Sequence, residues 1–372
     1  MSKMLRPFCT LLLLLLTSSC TRAQELQLRQ LQLPEGFHIS VFAHSSEPRM
    51  LTFSPGGVLL ASDVTDDKIL AFPDPKHTGH ADGVMVAESL HRPHGIAFYN
   101  GKLYVAEIDQ VQRFDWNEAT MKATNGKVIA QLSTEGGGHS TRTVVFHHDK
   151  MYVATGSSCN LCDEKDQRRA TVARYNPDGS GMEIFARGVR NTVGMAVNLK
   201  TDTIWGTDNG RDQLGDDIPP DKINDLGSGG DFGWPACYGN RIPDPGGLGG
   251  GAKRCPNTIP PKVELQAHSA PLGLAFYEGN MFPSEYRGDL FVALHGSWNR
   301  KIPTGYKIVR VRLDDKGQPK GVENFITGWL KPGETKHGVH MGRPVGIAFA
   351  DDGAMYISDD EGGVIYRVVW ER

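Results

Sequence analysis

An arginine and an asparagine, Arg190-Asn191, stand directly before the apolar run Val193-Gly194-Met195-Ala196-Val197. A loop rich in carboxylates and bare carbonyls follows: Thr207-Asp208-Asn209-Gly210-Arg211-Asp212, then Gly215-Asp216-Asp217, before the turn Gly233-Trp234-Pro235. A planar, permanently charged guanidinium suits an anionic ligand. Clustered carboxylate and carbonyl oxygens suit a hard cation such as calcium. Histidines and arginines recur elsewhere, as Arg92 and His94, His139 and Arg142, His268, His295 to Arg300, and Arg343. Taken singly, each is more often a solvated loop charge or a structural hydrogen bond than a ligand. Recurrence at one structural register would change that weight, because side chains placed alike by a repeat converge on one axis.

Such a repeat is present. A short phrase returns as Leu51-Thr52-Phe53, Gly95-Ile96-Ala97-Phe98, Val144-Val145-Phe146, Gly194-Met195-Ala196-Val197, Gly273-Leu274-Ala275-Phe276 and Gly346-Ile347-Ala348-Phe349. Each copy is followed by a turn and a second apolar strand, and the first copies lie roughly 45 to 50 residues apart, the length of one propeller blade. Six copies predict an all-β, six-bladed β-propeller occupying residues 30–372, with inserted loops at about 209–265 and 314–341. The strand-like segment Phe37 to Phe42 is expected to complete the last blade beside the C-terminal strand and remove a free sheet edge. In a propeller, the residues before each first strand and after each second strand emerge on one face. Arg92 and His94, His139 and Arg142, Arg190 and Asn191, His268 and Arg343 fall before first strands, and Asp63, Glu107, Ser157 with Ser158, Asp208 to Asp217, His295 to Arg300 and Asp359 to Glu361 fall after second strands.

Composition agrees with many short strands and tight turns: 44 Gly and 22 Pro occur without a collagen period. A net charge of -3 argues against general nucleic-acid binding. Lys3 and Arg6, the run Leu11 to Leu16, and Thr17-Ser18-Ser19-Cys20 describe an export signal over residues 1–23. Two endings are open: lipidation of Cys20, giving a membrane-anchored lipoprotein, or cleavage after Ala23. Either places the mature chain in the periplasm or outside the cell. Four further cysteines then predict two local disulfides, Cys159 with Cys162 and Cys237 with Cys255. Redox or metal chemistry is the sharper reading of Cys159-Asn160-Leu161-Cys162, but no second such motif exists and Asp163 follows where haem attachment needs histidine.

Over about residues 30 to 370 the chain resembles the glucose/sorbosone dehydrogenase family, exported six-bladed propellers that use pyrroloquinoline quinone (PQQ) and calcium. The resemblance rests on His139 before Arg142, on Arg190-Asn191, on Asn209-Gly210-Arg211-Asp212 with Gly215-Asp216-Asp217, and on Gly233-Trp234-Pro235. It extends to His295-Gly296-Ser297-Trp298-Asn299-Arg300 and Gly342-Arg343-Pro344. Trp298 and the Cys159-Cys162 pair are closer to the sorbosone dehydrogenase branch. The resemblance implies that His139 is the general base, that Arg190 steadies charge on the reduced cofactor, and that Asn191 holds cofactor oxygens. It implies calcium on the carbonyls of Gly210 and Arg211 with a carboxylate from Asp216 or Asp217. Arg343 and His295 would bind the cofactor carboxylates, with Arg92 and Arg300 as further candidates. The substrate would be a small sugar, a sorbosone-like aldehyde or a related polyol, and electrons would leave to a separate cytochrome or quinone. Soluble glucose dehydrogenases carry an aspartate where Ser157 follows Gly156 here, and a lysine where His295 stands. Either Asp163 folds back to supply the missing charge, or the base is weaker, or the substrate differs. Two other classes are a calcium-dependent lactonase or esterase, which would show few axial cations, and a non-catalytic binding propeller.

Overall fold

The computed structural model describes residues 28–371 apart from 75, 77 and 228, so the expected export signal and Cys20 lie outside it. Each copy of the repeated phrase is the innermost strand of an antiparallel sheet. These strands are Pro48–Phe53, Gly95–Tyr99, Arg142–His147, Met195–Asn198, Pro271–Phe276 and Pro344–Phe349, and they head blades 1 to 6 in that order. The second strands are Leu59–Asp63, Lys102–Ala106, Lys150–Thr155, Thr203–Asp208, Leu290–Leu294 and Met355–Asp359. They are buried on both faces because each blade packs between two others. In Leu59–Asp63 and Leu290–Leu294 every residue is buried. Continuous apolar character rather than alternation is what such a position requires.

The small residues of the phrase have a steric cause. A Cβ on Gly194 would meet the carbonyl oxygen of Leu272 at 2.2 Å, one on Gly273 that of Val345 at 2.4 Å, and one on Gly346 that of Arg49 at 2.4 Å. Each contact is to the inner strand of the next blade. Hydroxyl groups staple the same seams: Ser62 Oγ donates to His94 O, Thr207 Oγ1 to Leu272 O (both 2.7 Å), Thr143 Oγ1 to Val193 O, and Ser358 Oγ to Arg49 O. His94 serves the seam between blades 2 and 3, with Nδ1 3.1 Å from Arg142 O. Burial, then the cations Arg49 and Arg142, pushes its pKa down to about 3, so it is a neutral structural donor.

The ring closes as the repeat predicts. Phe37–His44 pairs antiparallel with Val364–Trp370, so the first strand of the described chain is the outer strand of blade 6. Phe37 packs edge-on against Phe282, Tyr286 and Phe325, with ring centroids 4.8, 5.2 and 5.0 Å away. The two long intervals hold more than loops. Asp221–Asp225 and Val263–Leu265 are the third and fourth strands of blade 4, and Pro319–Ile326 is the outer strand of blade 5. Between the two blade 4 strands the chain crosses to blade 3, where Gly230–Asp231 pairs in parallel with Glu183–Arg187. It then forms the hairpin of Cys237–Tyr238 and Ile242–Pro243. Both cysteine pairs are bonded, Cys159 to Cys162 and Cys237 to Cys255, with Cα separations of 6.1 and 5.7 Å.

Candidate active site

One device positions the residues before the inner strands. In blade 4, Asp208 ends the second strand and its Oδ1 accepts the Asn191 N–H at 2.7 Å. In blade 6, Asp359 does the same for the Arg343 N–H at 2.8 Å, in blade 1 Asp63 for the Ser46 N–H at 3.0 Å, and in blade 2 Glu107 for the His91 N–H. These carboxylates, read from sequence as members of a functional face, are clamps that hold the neighbouring loop. Burial explains the pKa of about 6 for Asp359 despite the N–H groups of Arg343 and Gly362 that favour its ionised form.

Blade 3 departs from the pattern. The Ser157 carbonyl accepts the His139 N–H at 3.0 Å, and the imidazole Nδ1 lies 3.0 Å from both Ser157 O and Ser157 Oγ. Ser157 Oγ donates its own proton to Cys159 O at 2.6 Å, so toward the imidazole it can only accept. These partners assign the proton to Nδ1 and leave the Nε2 lone pair free, the form a general base needs. Asp163 does not fold back: its Oδ1 accepts the Gly249 N–H at 2.8 Å. Burial, followed by the nearby cations Arg190, Arg169 and Arg142, pushes the His139 pKa down to about 3. Arg169 sets up part of this field. It is buried, and its Nη2 donates to the same Ser157 carbonyl at 3.0 Å.

Next to His139 lies a cavity of about 210 Å³ walled by blades 3, 4 and 5. It brings together His139, Arg190, Asn191 and Gly210 from the expected set. The Arg190 guanidinium is fixed on all sides. Nε donates to Asn160 O at 3.0 Å, Nη2 to Asn160 Oδ1 at 2.9 Å and Asp212 Oδ2 at 3.2 Å, and Nη1 to Gly210 O at 2.8 Å. Asn160 belongs to the Cys159-Cys162 loop, and its Oδ1 also accepts the Asp212 N–H at 2.7 Å. The disulfide is therefore a structural brace for the two cavity charges. Asn191 Oδ1 is buried without a hydrogen-bond partner. A Cβ on Gly156 would come within 2.7 Å of both that oxygen and His139 Cβ, so this position requires glycine.

The other expected residues stand apart from the cavity wall. The Arg211 side chain pairs with Asp244 at 2.7 Å. Asp216 and Asp217 are turned to Arg300, whose Nη1 donates to Asp216 O at 2.6 Å and whose Nη2 meets Asp217 Oδ1 at 3.0 Å. His295 Nε2 donates to Asp360 at 2.9 Å, and Arg49 completes an ion pair with the same carboxylate. Arg343 donates to His295 O at 3.1 Å and Gly296 O at 2.8 Å, and lies over the Tyr306 ring. Arg92 lines a separate hollow with Glu47, Arg49 and His94.

Several cavity residues were not singled out as ligands from the sequence: Asn209, Asp212, Asp221, His268, Trp298 and Asn299. Asp221 accepts the N–H groups of Gly210 and Ala270 at 2.8 and 2.9 Å, and burial raises its pKa to about 6. Asn299 Nδ2 donates to Asp212 Oδ1 at 2.7 Å, and His268 Nε2 donates to Gly215 O at 2.7 Å. Asp212, Trp298 and Asn299 lay inside the quoted motifs, so adjacency in sequence was a usable signal. Asp221 carried none, since Pro219-Pro220 before it reads as a plain turn.

Known proteins share this architecture. A protein of Borreliella burgdorferi, named only as uncharacterized, is 33% identical over 96% of this chain and 95% of its own length. The pyrroloquinoline quinone-dependent pyranose dehydrogenase of Coprinopsis cinerea is 26% identical over 91% of this chain and 54% of that longer protein. Among solved structures, the calcium structure of a Trichoderma reesei protein of Carbohydrate-Active Enzymes Family AA12 shares the fold. Its TM-score is 0.79 at 20% identity, over 92% of this chain and 97% of that one. A single family model accounts for residues 31–371, all six blades and the closing strand included: the chain belongs to the TrAA12-like family.

Proposed function

We propose that the chain is an exported quinoprotein dehydrogenase that uses PQQ and calcium to oxidise a small sugar, a sorbosone-like aldehyde or a related polyol. The observation that carries this reading is a histidine with a free Nε2 facing the same cavity as a fully anchored arginine and an unpartnered asparagine oxygen. The residues fit both groups. Asn191 Oδ1 and the Gly210 carbonyl on the cavity wall, with a carboxylate, would supply the hard oxygen donors calcium takes, and the Arg211 carbonyl follows next along the chain. Arg190 occupies one lone pair of the Gly210 carbonyl and leaves the second available. Asp212 lies on the cavity wall and Asp216 and Asp217 do not, so Asp212 is better placed as the acidic partner. PQQ would supply a two-electron acceptor there and calcium would supply Lewis acidity.

The chain's own contribution is positioning and charge. His139 Nε2 takes the substrate hydroxyl proton while Ser157 holds the ring in one tautomer. Arg190, immobilised by Asn160 and Asp212, keeps a positive charge where negative charge develops. His295, Arg343, Arg92 and Arg300 stand outside the cavity wall and would meet cofactor carboxylates only where the cofactor reaches beyond it, with His295 held by Asp360 and Arg343 over the Tyr306 ring. The named PQQ-dependent sugar dehydrogenases among the relatives support the reaction class. Export fits the two disulfides, with either a lipid anchor at Cys20 or cleavage after Ala23, and a separate cytochrome or quinone as the electron acceptor.

The deciding experiment titrates apo protein with PQQ in excess calcium and follows absorbance. Dye-linked oxidation of aldoses, sorbosone and simple aldehydes is then measured. Saturable quinone binding that chelator reverses, with turnover on at least one substrate, is expected. No quinone binding would sink the proposal and favour the hydrolase or silent-propeller classes.

A further inference from the structure

At the opposite end of the inner strands from the cavity, two turns of neighbouring blades place two imidazoles and a carboxylate together. His147 ends the inner strand of blade 3 and His148 opens the turn to the second, while Asp202 sits in the corresponding turn of blade 4. His148 Nε2 lies 2.8 Å from Asp202 Oδ2. His147 Nε2 lies 3.4 Å from Asp202 Oδ1 and 3.1 Å from Asp202 O, and the two rings are 3.9 Å apart. One ligand atom from each residue falls within 4.8 Å of the other two. Bonds of about 2.0–2.1 Å to a tetrahedral ion put its ligand atoms about 3.3 Å apart, so three ligand atoms all within 4.8 Å of one another can close on one ion by small side-chain rotations. Cys159, Cys162 and Glu164 also cluster, but both of those cysteines are consumed in a disulfide.

The turns explain how these side chains are presented. Blade 2 makes the same two-residue turn with Asn100-Gly101, at φ of 47° and 71°, the pair such a hairpin prefers. Blade 3 holds His148-Asp149 at φ of 46° and 55°, and Asp202 in blade 4 is likewise left-handed at 55°. Histidine and aspartate are among the residues that tolerate this region, so both turns can present them without a glycine. The side chains of His148 and Asp202 are 67% and 64% exposed, so an ion and its water can reach them.

We propose that His147, His148 and Asp202 bind a divalent transition ion, Zn2+ or Cu2+, that bridges blades 3 and 4 on the face away from the catalytic cavity. Two imidazoles select such ions over calcium and magnesium, which take oxygen ligands. An ion held by both blades and absent from the unfolded chain raises the melting temperature as its concentration rises.

The test uses the full mature chain in excess calcium, titrated with ZnCl2 or CuCl2 by calorimetry, with electron paramagnetic resonance of the Cu2+ form. One ion per chain, a two-imidazole nitrogen pattern in the spectrum, and a raised melting temperature are expected. His148→Asn and Asp202→Asn both retain a residue that tolerates the left-handed turn. Each should weaken uptake at least about tenfold, the lower end of what loss of even a supporting contact does at a metal site. Equal affinity in the wild type and both variants would overturn the proposal. So would a spectrum without imidazole nitrogens, a reading that does not depend on how the variants fold, or no uptake of either ion by the wild type.

Discussion

His139 donates its Nδ1 proton to two oxygens of one residue, the carbonyl and hydroxyl of Ser157, each 3.0 Å away. Neither oxygen carries a full charge, so nothing near the ring rewards imidazolium as an aspartate would. Burial and Arg190 act in the other direction, and the folded pKa falls from 6.5 to about 3. As the proposed base, the imidazole is neutral above its folded pKa. The acid limb of kcat/KM should therefore lie well below pH 6.5, and activity should persist through the mildly acidic range where an ordinary histidine is already protonated. The same depression links to stability: between about pH 3 and 6.5 the unfolded chain binds the proton and the folded one does not. Stability is therefore lost as pH falls through that window. Replacing Ser157 by aspartate should raise the His139 pKa by about 1–3 units and carry the acid limb upward with it. His139→Ala should lower kcat by about 10²–10⁴-fold. A pH–rate profile whose acid limb is unmoved in Ser157→Asp would remove His139 from the role of base.

The elements explain why single residues hold such definite positions. The Cys159–Cys162 loop presents Cys159 O to Ser157 Oγ and both ends of the Asn160 amide unit to Arg190 and Asp212. Opening it with Cys159→Ala/Cys162→Ala should lower kcat about tenfold or more through misplacement of His139 and Arg190, with the global fold retained. Far-ultraviolet circular dichroism alongside turnover separates the two effects, and unchanged kcat would refute the brace. On the other side of the ring, Asp360 joins Arg49 and His295, with side-chain exposures of 12% for Arg49 and 8% for Asp360. Burial alone would raise the Asp360 pKa, but His295 and Arg49 outweigh it and hold the carboxyl below the usual range. Asp360→Ala strands a buried guanidinium, so denaturant unfolding should register a loss of about 3 kcal/mol. A loss within experimental error of zero would mean that Arg49 reaches water. These elements were unequally legible in the sequence. The inner strands announced themselves because a carbonyl of the next blade leaves no room for a Cβ at Gly194, Gly273 or Gly346. Asp221–Asp225 did not. Its sequence Asp-Lys-Ile-Asn-Asp looks like a solvated loop, and Lys222 is tolerated in the interior because Asp208, its partner on the neighbouring strand, faces it at 3.4 Å. Arg169 and Asn160 were hidden for the same reason, since their partners are mostly backbone carbonyls that any residue could supply.

At the scale of the whole molecule, the site depends on a closed ring. The repeat count correctly implied six blades, because each blade is one supersecondary unit and the phrase that marks its inner strand is imposed by its neighbour. It did not reveal that only blades 3, 4 and 5 wall the cavity while His295, Arg343 and Arg92 stand elsewhere, because side-chain direction within a register depends on partners in other blades. Closure is carried by Phe37–His44, which pairs residue for residue with the C-terminal strand apart from one bulge between Val41 and Ala43. Phe37 is 7% exposed and inserts its ring among Phe282, Tyr286 and Phe325 of blade 5, so this strand ties two blades as well as two ends of the chain. Truncation to alanine removes three edge-on aromatic contacts and leaves a cavity, a loss of about 3–5 kcal/mol. Because every seam transmits to the next, the loss should appear as a lower midpoint for the whole ring rather than local fraying. In Phe37→Ala, intrinsic fluorescence and far-ultraviolet circular dichroism should therefore report one coincident transition at lower denaturant, with an unchanged slope. Two separated transitions, the first involving only blades 5 and 6, would show instead that the six blades do not unfold as one unit and that the cavity formed by blades 3 to 5 can outlast an open ring.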